Sequence, residues 1–310
     1  MTLETSRKLP FDRSTIALFS LLLILYGPLL AYWFYGWLTK SISIEHEYFS
    51  HGLLGLPLAA YLCWHRRDRW RQMPDTTNPT RQILGLSLLI LGVSFYLSNL
   101  TDLINLSLFT LLIGCCIGLK GWPGLRLQAF PLLLLLLATP NEIPYLLAPY
   151  TLPLQSLIAS VAGFILTQLG MDVRVDQIYL FVNDRIVEVA PYCAGLKMLF
   201  TSLYVGLLLL YWTGQTSRQT IAYFYAGIVL ISVSANIVRN TLLTFFHGTG
   251  QDAAFQWLHD GWGGDVYSTA MLGLIVLWLR SLEAWAGAAA EDESESDPEN
   301  GCETEPQPGT

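Results

Sequence analysis

An all-α polytopic membrane fold is what the sequence predicts: about eight transmembrane helices, one interfacial or re-entrant helix and a short extracytoplasmic β-hairpin. Three observations lead there. The chain is 53% hydrophobic with a mean hydropathy of +0.43 and only 13% charged residues, a combination rare in soluble domains. Its apolar stretches recur at close to the length of a bilayer crossing, roughly 20 residues. One hydrophilic excursion, Arg174 to Val189, alternates polar and apolar residues around a central Asn183-Asp184, which reads as a hairpin. The net charge of −7 is unevenly placed: residues 291–310 carry eight acids and no base, leaving 16 acids against 17 bases elsewhere. The expected organisation is a cytoplasmic N-terminus (1–14), a transmembrane domain (15–286) and a disordered acidic cytoplasmic tail (287–310).

Taken in order, the first apolar segment covers about Thr15–Leu38 behind Arg7, Lys8 and Arg13, and the bulky Tyr32–Tyr35 end marks it as a retained helix. The loop Ser41–Ser50 is acidic and aromatic. The second segment, about Leu53–Trp64, stops in Arg66-Arg67-Asp68-Arg69-Trp70-Arg71, which the positive-inside rule places in the cytoplasm. The third and fourth (about Ile83–Leu97 and Leu103–Leu119) are joined by a base-free loop. The fifth starts near Leu127, beyond Lys120 and Arg126. Residues 143–170 are apolar enough to span. That would leave the acidic hairpin inside, so they are read as a helix at the outer surface, bent by Pro144, Pro149 and Pro153, with a full span as the alternative. Segment 143–192 thus leads into the sixth crossing, Cys193–Tyr211. The seventh runs from about Thr220 and the eighth from near Asp265. On this path twelve of the 17 bases are cytoplasmic, with both termini. No internal repeat of the transporter kind is visible.

Cysteine usage narrows the chemistry. Cys63, Cys115, Cys116, Cys193 and Cys302 show no CxxC and no metal-type spacing with histidine, so no disulfide framework, metal site or cofactor is expected. No basic face suggests nucleic acid. Cys63, Cys115 and Cys116 lie in apolar segments as packing residues. Cys193 differs, since it stands where the hydrophilic excursion meets a helix N-terminus, whose free N–H groups and dipole favour a thiolate. Lys197, four residues on, can add to that. Up–down topology brings Cys193, Arg239 and His259 to one face. Arginine near an apolar segment is a functional candidate, and thiol, guanidinium and imidazole suffice for acyl transfer: nucleophile, oxyanion stabiliser and proton donor. Each residue has a plainer reading, as packing cysteine, snorkelling anchor and interfacial histidine; their convergence is what favours chemistry. His247 rivals His259 for the imidazole role, and His51 is a third candidate.

These residues resemble the exosortase family over most of the chain before the acidic tail. Tyr48-Phe49-Ser50-His51-Gly52 with Tyr61–Arg67, Leu154-Gln155-Ser156, the hairpin, Glu188-Val189-Ala190-Pro191-Tyr192-Cys193-Ala194-Gly195-Leu196-Lys197, and Asn236-Ile237-Val238-Arg239 carry the likeness, and His259 falls where the family's histidine does. The resemblance implies a multi-pass inner-membrane cysteine transpeptidase in exopolysaccharide-associated protein sorting. Its partners would be membrane-anchored proteins bearing a Pro-Glu-Pro-like motif, a membrane helix and basic residues. The catalytic roles would fall to Cys193, Arg239 and His259, with Glu188, Lys197 and Asn236 in support. Ala194 where serine is common, Lys197 where arginine is usual, and a glycine-rich His259–Gly263 loop point to a divergent branch such as the cyanobacterial one.

Two other classes compete. A non-enzymatic transporter or lipid-handling protein predicts a continuous polar route through the bilayer, whereas the ionisable groups here cluster on one face. An assembly subunit without catalysis is the second.

Overall fold

The computed structural model describes residues 13–39, 48–183, 185–189, 195–259 and 261–295. Six of its helices are long and apolar enough to cross a membrane: Ser20–Thr39, Thr101–Ala138, Pro149–Gln168, Leu196–Thr213, Arg218–Gly248 and Trp262–Gly287, with Gly52–His65 a shorter apolar helix. The chain divides into two compact units, Met1–Leu147 and Ala148–Thr310.

The first unit holds α1 (Arg13–Thr39), α2 (Gly52–His65), α3 (Arg67–Gln72), α4 (Pro79–Tyr96), α5 (Thr101–Ala138) and α6 (Ile143–Leu147). Asn78 caps α4, its side chain accepting from the Thr80 N–H at 3.0 Å, with Pro79 at the first helical position. α5 merges what the sequence separates as a fourth and a fifth crossing. A straight helix of 38 residues would be about 57 Å long, nearly twice a bilayer core. Yet Asn105 Nδ2 donates to the Pro140 carbonyl at 3.0 Å, and the Glu142 N–H reaches Asp102 Oδ2 at 3.4 Å. The chain therefore reverses within α5, and it does so at Gly121, whose φ of 64° and ψ of −155° leave the helical region. The two halves run antiparallel, as two crossings require. Small residues let backbones approach: a Cβ on Gly85 of α4 would strike Gly118, and one on Gly114 would come within 3.0 Å of the Gly85 carbonyl. Polar bonds pin α1 to this pair, Tyr26 Oη to Ser107 Oγ at 3.0 Å and Trp33 Nε1 to Asn105 Oδ1 at 2.9 Å.

The second unit holds α7 (Leu152–Gln168), a small sheet, α8 (Leu196–Thr213), α9 (Arg218–Gly248), α10 (Asp252–His259) and α11 (Trp262–Glu295). Where the sequence suggests one hairpin, the structure has a three-stranded antiparallel meander: β1 (Val173–Asp176), β2 (Tyr179–Val182) and β3 (Arg185–Glu188). Its pairing puts Asp176 opposite Tyr179 and Val182 opposite Arg185. The Asn183 turn is the expected one. The extra turn is at Gln177, whose φ of 54° gives no compositional cue because glutamine carries little turn preference. Leu180, Val182 and Val189 bury against Ile158, Ala159 and Ala162 of α7, fixing the sheet on that helix. Further along, α8, α9 and α11 share an apolar core around Phe224, Ile228 and Ile275. With exposed leucines, valines and tryptophans facing outward, both units have the inverted surface that acyl chains require. α11 continues to Glu295.

Candidate active site

Cys193 and its neighbours 190–194 lie outside the described residues, but the backbone on either side is held by buried polar contacts. On the near side, Gln155 of α7 is fully buried and donates from Nε2 to the Val189 carbonyl at 2.7 Å, while Thr151 Oγ1 donates to Gln155 Oε1 at 3.2 Å. A buried carbonyl left unpaired would cost on the order of 1–3 kcal/mol. On the far side, Gly195 caps α8 with φ +83°, so that helix begins at Leu196 rather than at the cysteine itself. A Cβ on Gly195 would stand 2.6 Å from Asn236 Cγ. Glycine is required twice over, by the left-handed backbone and by the side chain against it.

Asn236 belongs to a buried polar stripe on α9. Ser232, Asn236, Asn240 and Thr244 recur every four residues on one face, and all are buried. Asn240 Nδ2 donates to the Asn236 carbonyl at 2.9 Å and to its Oδ1 at 3.2 Å, orienting the amide under Gly195. One turn on, Arg239 leans toward the α10–α11 junction. Its Nη2 donates weakly to the Leu258 carbonyl at 3.5 Å, and its Nε is buried without a hydrogen-bond partner among the described residues. The guanidinium also lies 3.6 Å from where a Gly264 Cβ would be, with the His259 carbonyl 3.9 Å from the same point. Tyr267 of α11 donates to the Ala235 carbonyl at 2.6 Å and lies within electrostatic reach of Arg239. The result is a half-buried cation with donors to offer, which suits an oxyanion or a carboxylate.

His259 is the last residue of α10, a short helix rather than the loop the sequence suggests, and its ring stacks on Phe255 at 5.1 Å and 11°. His247, in the last turn of α9, packs against the same phenyl ring from its own side, with ring centroids 5.2 Å apart. The rival imidazoles thus share one aromatic partner. They differ in surroundings: His247 Nδ1 lies 3.8 Å from Asp252 Oδ1, and its carbonyl accepts from Arg185 Nη1 at 3.1 Å. Arg185 in turn binds Asp252 at 2.6 Å, and Asn183 Nδ2 donates to the Gly248 carbonyl at 3.1 Å. That hydrogen bond from Arg185, aided by its charge, holds the Asp252 carboxyl below the usual carboxylate range. The β2–β3 turn is thereby clasped to the end of α9 and the start of α10.

Among the remaining candidates, Lys197 is half-buried in the first turn of α8, and Glu188 is exposed on β3 opposite Tyr179. His51 belongs to the first unit, where it is buried with Nε2 3.0 Å from the Leu137 carbonyl. Sequence reasoning missed the roles of Gln155, Asn240 and Tyr267. For Asn240 there is a readable signal, the four-residue spacing of polar residues in a membrane helix; the other two act across 34 and 32 residues, which no local pattern marks.

The fold is thus that of a multi-pass helical membrane protein, and its second unit brings the Asn236 amide up to Gly195 and the Arg239 guanidinium to the α10–α11 junction. Residues 37–276 match the transmembrane exosortase family, and the chain belongs to that family. It is accordingly an integral membrane protein with a protease/transpeptidase role in protein sorting. Neither the curated proteins nor the solved structures yield a match.

Proposed function

We propose that this exosortase is thiol-dependent, with Cys193 as nucleophile, Arg239 as the oxyanion-stabilising cation and His259 as general acid. The observation that carries the reading is the contact between Gly195 and Asn236. It ties the chain two residues past Cys193 to the α9 turn just before Arg239, whose guanidinium points at the α10–α11 junction where His259 ends its helix. Cys193 Sγ attacks the scissile carbonyl of a membrane-anchored substrate, forming the carbon–sulfur bond while the carbonyl electrons move to oxygen. Arg239 neutralises that oxyanion; as it collapses the carbon–nitrogen bond breaks, and His259, carrying the proton that the thiol gave up, donates it to the departing amine, leaving a thioester that a second nucleophile resolves. The substrate carries a C-terminal sorting signal, a Pro-Glu-Pro-like motif followed by a membrane helix. The site faces the extracytoplasmic side of the inner membrane, with the termini in the cytoplasm.

The transporter reading requires a polar route along the helices. The stripe on α9 ends at Ser232, and beyond it the buried residues around Phe224, Ile228 and Ile275 are apolar. That termination favours a site opening to one side. Conversion of an anchored precursor to its trimmed form tests the assignment. Cys193→Ala abolishes it with normal insertion, Arg239→Lys stays strongly impaired because lysine lacks the planar fork, and His259→Ala matches the cysteine change. His247→Ala is milder. Wild-type-like trimming by Cys193→Ala would end the thiol assignment; a dead His247→Ala beside an active His259→Ala would exchange the imidazoles.

A further inference from the structure

The base-rich end of the first unit carries a feature that catalysis does not use. Four arginines lie between Arg66 and Arg71, and Arg81, Lys120 and Arg126 join them against only Asp68 and Asp75 in those stretches. The fold gathers these bases. Lys120 Nζ donates to the Met73 carbonyl at 2.6 Å, the Thr76 N–H bonds the Leu119 carbonyl at 2.9 Å, and Arg66 reaches the Leu127 carbonyl, so the α3 segment lies across the reversal in α5. At the reversal, Arg81 Nη1 lies 3.2 Å from where a Gly121 Cβ would stand, and Thr76 Oγ1 lies 3.5 Å from the same point, buried without a hydrogen-bond partner among the described residues. The acids are already engaged: Asp68 between Arg67 and Arg71 at 3.9 and 4.0 Å, Asp75 with Lys120 at 2.7 Å. Among the described residues, Arg69, Arg81 and Arg126 have no ion pair.

We propose that this end of the first unit is a binding surface for anionic phospholipid headgroups, with Arg69, Arg81 and Arg126 meeting phosphate and Thr76 supplying a neutral donor beside Arg81. Depth is what selects a lipid. The bases stand at the ends of apolar helices, and Trp64 and Trp122 are 53% and 47% exposed among them, the amphipathic rings expected at the headgroup level. Guanidinium forks match phosphodiester oxygens, and basic clusters flanking membrane helices attract anionic leaflets, each base adding about fivefold to the partition.

The test uses the full-length protein in neutral detergent, titrated with phosphatidylglycerol, phosphatidylcholine or inorganic phosphate and read by native mass spectrometry and thermal melting. Phosphatidylglycerol is retained and stabilises, phosphatidylcholine is not, and 0.5 M salt weakens the retention of the wild type. The triple change Arg69→Gln, Arg81→Gln, Arg126→Gln lowers phosphatidylglycerol affinity on the order of a hundredfold, about fivefold for each base removed. Three results would each overturn the proposal: equal retention of the two lipids, unchanged affinity in the triple variant, or the same stabilisation by inorganic phosphate, which would make a free anion the ligand. If the triple variant does not fold, the wild-type salt dependence and lipid preference decide alone.

Discussion

At the scale of single residues, Gly195 is the most constrained position near the proposed site. Its φ of +83° and the Asn236 amide against it oppose any side chain. Gly195→Ala is therefore expected to lower stability by about 1–3 kcal/mol through backbone strain, with a further cost from displacing Asn236. A drop in thermal midpoint together with loss of trimming checks this; an unaffected midpoint would contradict the contact. Gln155 works from the other side of the cysteine by holding the Val189 carbonyl. Asn236 and Arg239 are readable in the sequence because each is a polar residue in an otherwise apolar segment, and Cys193 because it stands where the polar excursion meets the next apolar one. The bonds that hold them are not, since the Gln155–Val189 pair exists only once α7 and the sheet have packed.

At the scale of elements, the clasp from the β2–β3 turn to α10 couples the strand leading to Cys193 with the helix ending at His259. Asp252, held below the ordinary carboxylate value by Arg185, contributes stability that is full above about pH 4, where an unfolded aspartate ionises, and fades as pH falls through its lower folded value. The expected result is a gap in thermal midpoint between wild type and Asp252→Asn that is constant above about pH 4 and closes below it. A gap unchanged at pH 3 would remove the clasp from the account. Most helices were readable from apolar length and flanking charge. The third strand was not, because four-residue strands and the Gln177 turn carry too little composition to separate a meander from a hairpin. Gly121 shows the opposite case: Lys120 and Arg126 signalled a break, and the non-helical backbone of Gly121 with the antiparallel contacts of Asn105 and Asp102 bears it out.

At the scale of the whole molecule, the account assigns sides. Asn183 in the sheet is expected to be extracytoplasmic, so a cysteine placed there should react with an impermeant maleimide in intact cells; labelling only after permeabilisation would invert the proposed site. Charge asymmetry made this expectation possible, whereas the path of residues 143–170 stayed ambiguous because Pro149–Gln168 is apolar enough for either a span or a surface helix. The central claim is that Cys193 carries the acyl group of a sorted protein. It is tested most directly by incubating the membrane-embedded protein with a substrate bearing the Pro-Glu-Pro-like signal, quenching in acid and locating the adduct by mass spectrometry. The account predicts a hydroxylamine-sensitive thioester on Cys193 that is absent from Cys193→Ala. Substrate trimmed at the wild-type rate by Cys193→Ala, with no adduct on any cysteine, would contradict it.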